Sequence, residues 1–203
     1  MPLIDRITLP FDTALRAERV RLIETLEKLS DEDFTSGTTL CAGWSPRDVL
    51  GHLIGVDYLL GSYLPYGLRV TAANQGQVAR VRRMPRHRLM EWARHWAASP
   101  SPTSRLGGLV VLGDLAIHHQ DIVRGLGLHR EVPDEMATAI FREGLQLSLW
   151  TNRRVVRHRL VPTDGHRPFA LPAARDGDVH GTREALGMWL AGRDSVAGEL
   201  RFA

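Results

Sequence analysis

Two histidines and an aspartate in apolar surroundings could bind a metal ion. In the segment "LVVLGDLAIHHQDI" (residues 109–122), Asp114 and His118 are four positions apart. Each residue of a helix turns by about 100°, so this spacing places the two side chains on one face. His119 is rotated away from that face, and Asp121 is near enough to serve as a hydrogen-bonding partner of His118. A carboxylate in so apolar a segment needs a partner, because burying an unpaired charge is costly.

A second segment, "DVLGHLIG" (residues 48–55), places His52 on another apolar helix, one turn after Asp48. Bundle proteins build metal sites from side chains on facing helices. Two imidazoles and one carboxylate form a three-ligand set that leaves coordination positions open, as catalytic zinc sites do. An ion there would help a bound thiol or water to lose its proton.

The same spacing has simpler explanations. Asp114 and His118 could only hydrogen-bond to each other, and Asp114 could instead be neutralised by one of the arginines. His52 could be a core histidine with an ordinary partner. Spacing alone leaves these alternatives open, since short motifs often match by chance.

Apolar periodicity and capping signals predict the helices that would position these residues. The predicted helices span residues 12–29, 45–64, 85–98, 106–126 and 133–152, and a last one covers "TREALGMWLAGR". The start at "SPRD" has the residues of a capping box, Ser45 and Asp48, with Pro46 at the first helical position. After Arg154, short β-like runs alternate with prolines and glycines. We therefore predict a mainly α protein: a helical bundle over residues 1–154 and a small C-terminal α/β piece over residues 155–203.

Composition narrows the classes of partner. The chain has 203 residues, a formal net charge of +3 and one cysteine, Cys41. Cys41 precedes a helix start, where a thiolate is favoured, but no histidine is close in sequence. The basic runs "RVRRMPRHR" and "RRVVRHR" lack the interleaved aromatics typical of nucleic-acid binding. With no signal-peptide pattern and no apolar run of membrane length, we expect a cytoplasmic protein with no nucleic-acid or membrane partner.

Two segments resemble a known family. "CAGWSPRDVLGHL" (residues 41–53) and "LGDLAIHHQDIVRGLG" (residues 112–127) are similar to the signatures of the mycothiol-dependent maleylpyruvate isomerase family, which belongs to the DinB-like bundles. The tail "VHGTREALGMWLAGRD" also resembles that family's C-terminal piece. The resemblance implies a DinB-like four-helix core and a divalent metal, usually zinc with nickel as an alternative, bound by His52, Asp114 and His118. It also implies mycothiol as a thiol cofactor.

One position departs from the family pattern. The acidic ligand of the family is often glutamate, whereas this chain has Asp114. An aspartate is shorter by one methylene group, so the ligand would need closer helices or an intervening water. This difference bears on which metal binds and how tightly.

These observations favour a metal-dependent thiol enzyme of isomerase or S-transferase type, in which the metal activates a small-molecule thiol for attack on an electrophilic substrate. Asp121 would support His118, and Arg193 in "AGRD" would hold a carboxylate of the substrate, although a surface arginine fits that position equally well. The alternatives are a metal-assisted hydrolase and a non-enzymatic helical binding or regulatory protein with a vestigial site. Pairing into a homodimer stays open.

Overall fold

The computed structural model describes residues 9–58, 64–66 and 69–203. The helices are α1 (Asp12–Glu27), α2 (Asp31–Ser36), α3 (Pro46–Asp57), α4 (Val70–Arg82), α5 (Arg86–Ala98), α6 (Pro102–Leu106), α7 (Gly108–Gly125), α8 (Asp134–Trp150), α9 (Arg154–Arg157) and α10 (Arg183–Leu190). The strands are β1 (Arg159–Pro162), β2 (Asp178–Gly181) and β3 (Arg201–Phe202). The chain forms two compact units, Met1–His129 and Arg130–Ala203.

In the first unit, α1 packs against α5 and α7, and α3 packs against α4, α5 and α7. The core consists of the apolar faces of these helices, with Leu15, Leu22, Leu50, Ile54 and Leu115 almost fully buried. The predicted mainly helical fold is confirmed. None of the helices within the described ranges is long and apolar enough to cross a membrane.

Helices α3 and α7 position the candidate ligands. Local hydrogen bonds stabilise the start of α3 and the end of α7. At the start of α3, the Asp48 carboxylate accepts a hydrogen bond of 3.0 Å from the backbone N–H of Ser45. The helix ends at Asp57, with Tyr58 as its C-cap, so the prediction of a continuous helix to residue 64 is wrong; residues 59–63 lie outside the described residues. At the end of α7, Gly127 adopts a left-handed φ of 64°. The N–H of Leu128 then donates to the carbonyl of Val123 at 2.8 Å, which is the arrangement of a glycine C-cap.

Helix α4 has no counterpart among the predicted helices. Its buried face is narrow, with Ala73, Gln77, Val78 and Val81, and its other positions are mostly small or polar. Such a weak pattern gives little periodic signal, so the helix owes its stability to packing rather than to its own propensity. It lies very close to α3, because a Cβ atom on Gly51 would be 2.4 Å from a Val81 methyl group.

In the second unit, α8 crosses α10 and a small sheet completes the piece. The crossing is close, because a Cβ atom on Gly144 would be 2.4 Å from the carbonyl oxygen of Gly187. Strands β1 and β2 pair in parallel and β3 joins β2 in antiparallel orientation. Helix α8 therefore packs with the C-terminal elements, although we grouped residues 133–152 with the bundle. The domain boundary after residue 154 stays a prediction about independent folding.

Candidate metal centre

The three predicted ligands lie together in the first unit. The Nε2 atom of His52 on α3 is 3.7 Å from Oδ2 of Asp114, and Nε2 of His118 is 3.5 Å from Oδ1 of the same carboxylate. The two imidazole rings meet edge to face, with centroids 4.9 Å apart. One potential ligand atom from each residue lies within 4.8 Å of the others. The helical spacing thus brings Asp114 and His118 to one face, and α3 adds His52.

These distances are too long for good hydrogen bonds and suit a shared ion. Two nitrogen or oxygen ligands at about 2.0–2.1 Å from a tetrahedral zinc ion are roughly 3.3 Å apart. The separations of 3.5 Å and 3.7 Å are close to that value, whereas hydrogen bonds between such groups are about 2.7–3.2 Å long. Each oxygen of Asp114 faces one histidine, so the shorter side chain does not prevent this carboxylate from joining the set.

Asp121 orients the ring of His118. The Nδ1 atom of His118 is 2.9 Å from Oδ2 of Asp121, and Asp121 is fully buried. This contact assigns the ring proton to Nδ1 and leaves Nε2 for a ligand, as in carboxylate–histidine–metal sites. Burial lowers the pKa of His118, but the charge of Asp114 and the hydrogen bond to Asp121 outweigh it, so the pKa is raised well above its ordinary value.

His52 has the opposite electrostatic behaviour. Burial lowers its pKa from 6.5 to about 4, although Asp114 raises it in part. The imidazole is therefore neutral at pH 7, which is the form that binds a metal. Its Nδ1 atom has no hydrogen-bond partner among the described residues, while the side-chain amides of Asn74 and Gln77 lie near enough to raise the pKa slightly. Both amides come from α4, which the sequence patterns did not predict.

Residues 15–123, more than half of the chain, match the family described as the mycothiol maleylpyruvate isomerase N-terminal domain. The chain belongs to this family. The resemblance inferred from the two segments is therefore confirmed.

Two solved structures share the fold of this family member. The crystal structure of a mycothiol-dependent maleylpyruvate isomerase aligns with a TM-score of 0.67 and 15% identity, covering 95% of this chain and 92% of that one. A mutant of that enzyme, with one histidine replaced by alanine, aligns with a TM-score of 0.66 and 14% identity over the same shares. The likeness confirms the predicted DinB-like fold with its small C-terminal α/β piece. No curated protein matches the chain.

Two residues of the segment "CAGW" (residues 41–44) also lie next to the ligands. The thiol of Cys41 donates to Oδ2 of Asp121 at 3.0 Å and lies 3.4 Å from Nδ1 of His118. The ring of Trp44 packs against the rings of His52 and His118, with centroid distances of 5.2 Å and 6.3 Å. Sequence reasoning missed the Cys41 contact because its partners lie 77 and 80 residues away.

A backbone contact fixes the loop that carries Cys41. The N–H of Leu40 donates to the main-chain carbonyl of Asp121 at 3.0 Å, and the hydroxyl of Thr38 donates to the carbonyl of Gly125 at 2.9 Å. Gly125 also permits this approach, since a Cβ atom there would be 2.4 Å from the Cα of Thr39. The loop is thereby held against the last turns of α7.

His119 lies outside the cluster, as its rotation on the helix predicts. Its Nδ1 atom is 2.7 Å from Glu18 and its Nε2 atom is 2.9 Å from the hydroxyl of Thr25. Both partners belong to α1. Both His119 and Glu18 are fully buried, so this pair ties α7 to α1.

Two further candidate residues have other surroundings. Asp48, predicted to cap α3, does so and also forms an ion pair of 2.7 Å with Arg82. Arg193 lies in the second unit, after α10, and donates to the carbonyl of Ala191 at 2.7 Å. Its role as a substrate-binding cation stays a prediction.

Proposed function

We propose that this family member is a divalent-metal-dependent thiol enzyme of isomerase or S-transferase type, with zinc as the expected ion and nickel as the alternative. The observation that supports the proposal is the cluster of His52, Asp114 and His118, whose ligand atoms are spaced for one ion. The Asp114 side chain is 28% exposed, so the cluster has an open side. A divalent ion there would lower the pKa of a thiol or water bound in an open position.

The residues of the chain prepare this site for a metal in two different ways. His52 is neutral because burial disfavours its charged form, so it can bind without releasing a proton. His118 carries a raised pKa and gives up the proton on Nε2 when it becomes a ligand. Asp121 keeps the proton on Nδ1 in place through this change. Its Oδ2 atom accepts from both His118 and Cys41, which fixes the carboxylate as well.

The family suggests the thiol and the type of substrate. We infer that mycothiol is the small-molecule thiol and that the substrate is an electrophile of the maleylpyruvate type. When bound, such a thiol supplies a nucleophile that adds to an electrophilic carbon and, for an isomerisation, leaves again. Arg193 and Asp121 are the proposed substrate-binding and supporting residues. A reduced thiol requires a reducing compartment, which agrees with the expected cytoplasmic location.

Metal analysis of matched histidine variants tests the ligand assignment. We expect about one equivalent of divalent metal in the purified chain and in His119→Gln, and a loss of bound metal in His118→Gln. The control is well matched because the two residues are adjacent on α7, yet only one faces Asp114. Equal metal retention in the two variants would refute the assignment, provided that circular dichroism shows both to be folded.

Activity assays then distinguish the candidate functions. The metal-loaded chain should convert maleylpyruvate only when mycothiol is added, and removal of the metal with a chelator should abolish the reaction. Turnover of a hydrolysable substrate without any thiol would favour the metal-assisted hydrolase instead. A purified chain that contains no metal and binds none would favour the non-enzymatic binding or regulatory protein.

A further inference from the structure

A cavity of about 460 Å³ lies between α3 and α4, and its wall also includes Trp92 of α5. This volume is within the range of about 300–1,000 Å³ that is typical of small-molecule sites. The described residues that line it do not include His52, Asp114 or His118. It is therefore a different space from the candidate metal centre, although both lie in the first unit.

Gln77 lines the cavity, but its polar atoms do not face it. Gln77 is only 9% exposed, and its Nε2 and Oε1 atoms are both buried. The amide packs across Gly55, where a Cβ atom would be 2.2 Å from the Gln77 Cδ, and it acts on the pKa of His52. Recognition of a charged ligand in the cavity therefore depends on Arg80.

The mouth of the cavity combines aromatic rings with a cation. The Arg80 guanidinium lies 4.9 Å from the centroid of the Trp92 ring, and the Tyr58 ring is nearly parallel to Trp92 at 6.3 Å. Tyr58 is 40% exposed. Arg80 has no carboxylate partner among the residues that the structure describes. A guanidinium held over a ring and left without an anion is suited to bind a carboxylate.

We propose that this cavity binds a planar aromatic carboxylic acid. The ring of the ligand packs against Tyr58 and Trp92, and its carboxylate pairs with Arg80. The inference goes beyond the proposed function, because it needs neither the metal nor the thiol. It assigns a second small-molecule site to the helical unit.

Two probes of matched shape test the proposal on the full chain. We expect 2-naphthoate to bind in isothermal titration calorimetry, and the neutral 2-naphthylmethanol to bind at least tenfold more weakly, because it cannot pair with Arg80. In amide NMR spectra, 2-naphthoate should shift the indole N–H of Trp92 and the side-chain amide of Gln77. A charge-assisted hydrogen bond of about 1.5–3 kcal/mol corresponds to a factor of roughly 10–150 in affinity.

Variants locate the interaction. Arg80→Gln should weaken 2-naphthoate binding at least tenfold and leave the binding of 2-naphthylmethanol unchanged. The matched control is Arg83→Gln, three residues later and exposed at the end of α4, which should leave the affinity unchanged.

Three results would overturn the proposal. The first is that 2-naphthoate does not bind to the folded chain, and the second is that it binds to Arg80→Gln as tightly as to the unmodified chain. The third is that the neutral probe binds as tightly as the carboxylate. A thermal melt of each variant confirms that a lost affinity is not a lost fold.

Discussion

His118 and His119 are adjacent on one helix, yet their environments differ in a decisive way. Both nitrogens of His119 meet partners from α1 at 2.7 Å and 2.9 Å, and the residue is fully buried. One nitrogen of His118 is held by Asp121 at 2.9 Å, while the other faces Asp114 at 3.5 Å. His118 therefore has one nitrogen available for a ligand, whereas both nitrogens of His119 are hydrogen-bonded.

The contrast extends to the clusters around them. Glu18 and His119 form a closed cluster, in which a buried carboxylate and its partner are in hydrogen-bonding contact, and the buried pair of Arg19 and Asp57 is of the same kind. His52, Asp114 and His118 form an open cluster, with long separations and a partly exposed carboxylate. Closed clusters connect helices and contribute to stability. An open cluster has ligand atoms that form no short hydrogen bond, so it can bind an added ion, as a functional site does.

The largest expected effect comes from breaking a closed cluster. Asp57→Ala would leave Arg19 buried without its anion, and a buried unpaired charge costs about 3–5 kcal/mol. Arg19 is fully buried and also donates to the carbonyl of Trp96 at 2.8 Å. Urea unfolding should show this loss, while the folded fraction should bind metal with unchanged stoichiometry. A loss below 1 kcal/mol, or a loss of metal without a loss of stability, would contradict the distinction between the two kinds of cluster.

A smaller effect should appear when the support of the open cluster is altered. Asp121→Asn removes the charge that orients His118, and such changes lower metal affinity by about 10–100-fold. Its counterpart in the closed cluster is Glu18→Gln, which should lower the free energy of unfolding by about 1 kcal/mol and leave metal affinity unchanged. Competition with a chromogenic chelator measures the metal affinity of both variants. The comparison fails if the two variants weaken metal binding equally.

The smallest expected effect concerns the stability of the fold at low pH. The buried ion pair of Asp12 and Arg105 should influence it. The hydrogen bond from Arg105 holds the pKa of Asp12 below its ordinary value, against the opposing effect of burial. A carboxyl with a depressed folded pKa contributes stability above its unfolded pKa of about 3.9, and this contribution is lost as the pH falls through the folded value. Urea unfolding between pH 6 and pH 3 should therefore show a shallower decline for Asp12→Asn. Identical slopes would exclude a contribution from this pair.

Local chemistry made much of the fold predictable. The capping residues before α3, the apolar periodicity of α1 and α7 and the glycine after α7 each depend on near neighbours in the chain. Helices α1, α5, α7 and α8 lie close to their predicted bounds. The spacing of Asp114 and His118 is likewise a local property. Helix α4 was missed because only a narrow part of its surface is apolar, and the grouping of α8 with the C-terminal elements depends on a crossing at Gly144 that no local pattern reveals.

The sequence by itself determined α1, α5, α7 and α8, the shared face of Asp114 and His118, and the different direction of His119, because helical geometry fixes these over a few residues. Only the tertiary structure decided which distant groups meet them. It brought His52 to face Asp114, placed Cys41 against Asp121 and gave His119 its partners on α1. Those contacts depend on how helices pack, and packing is set by side chains far apart in the chain.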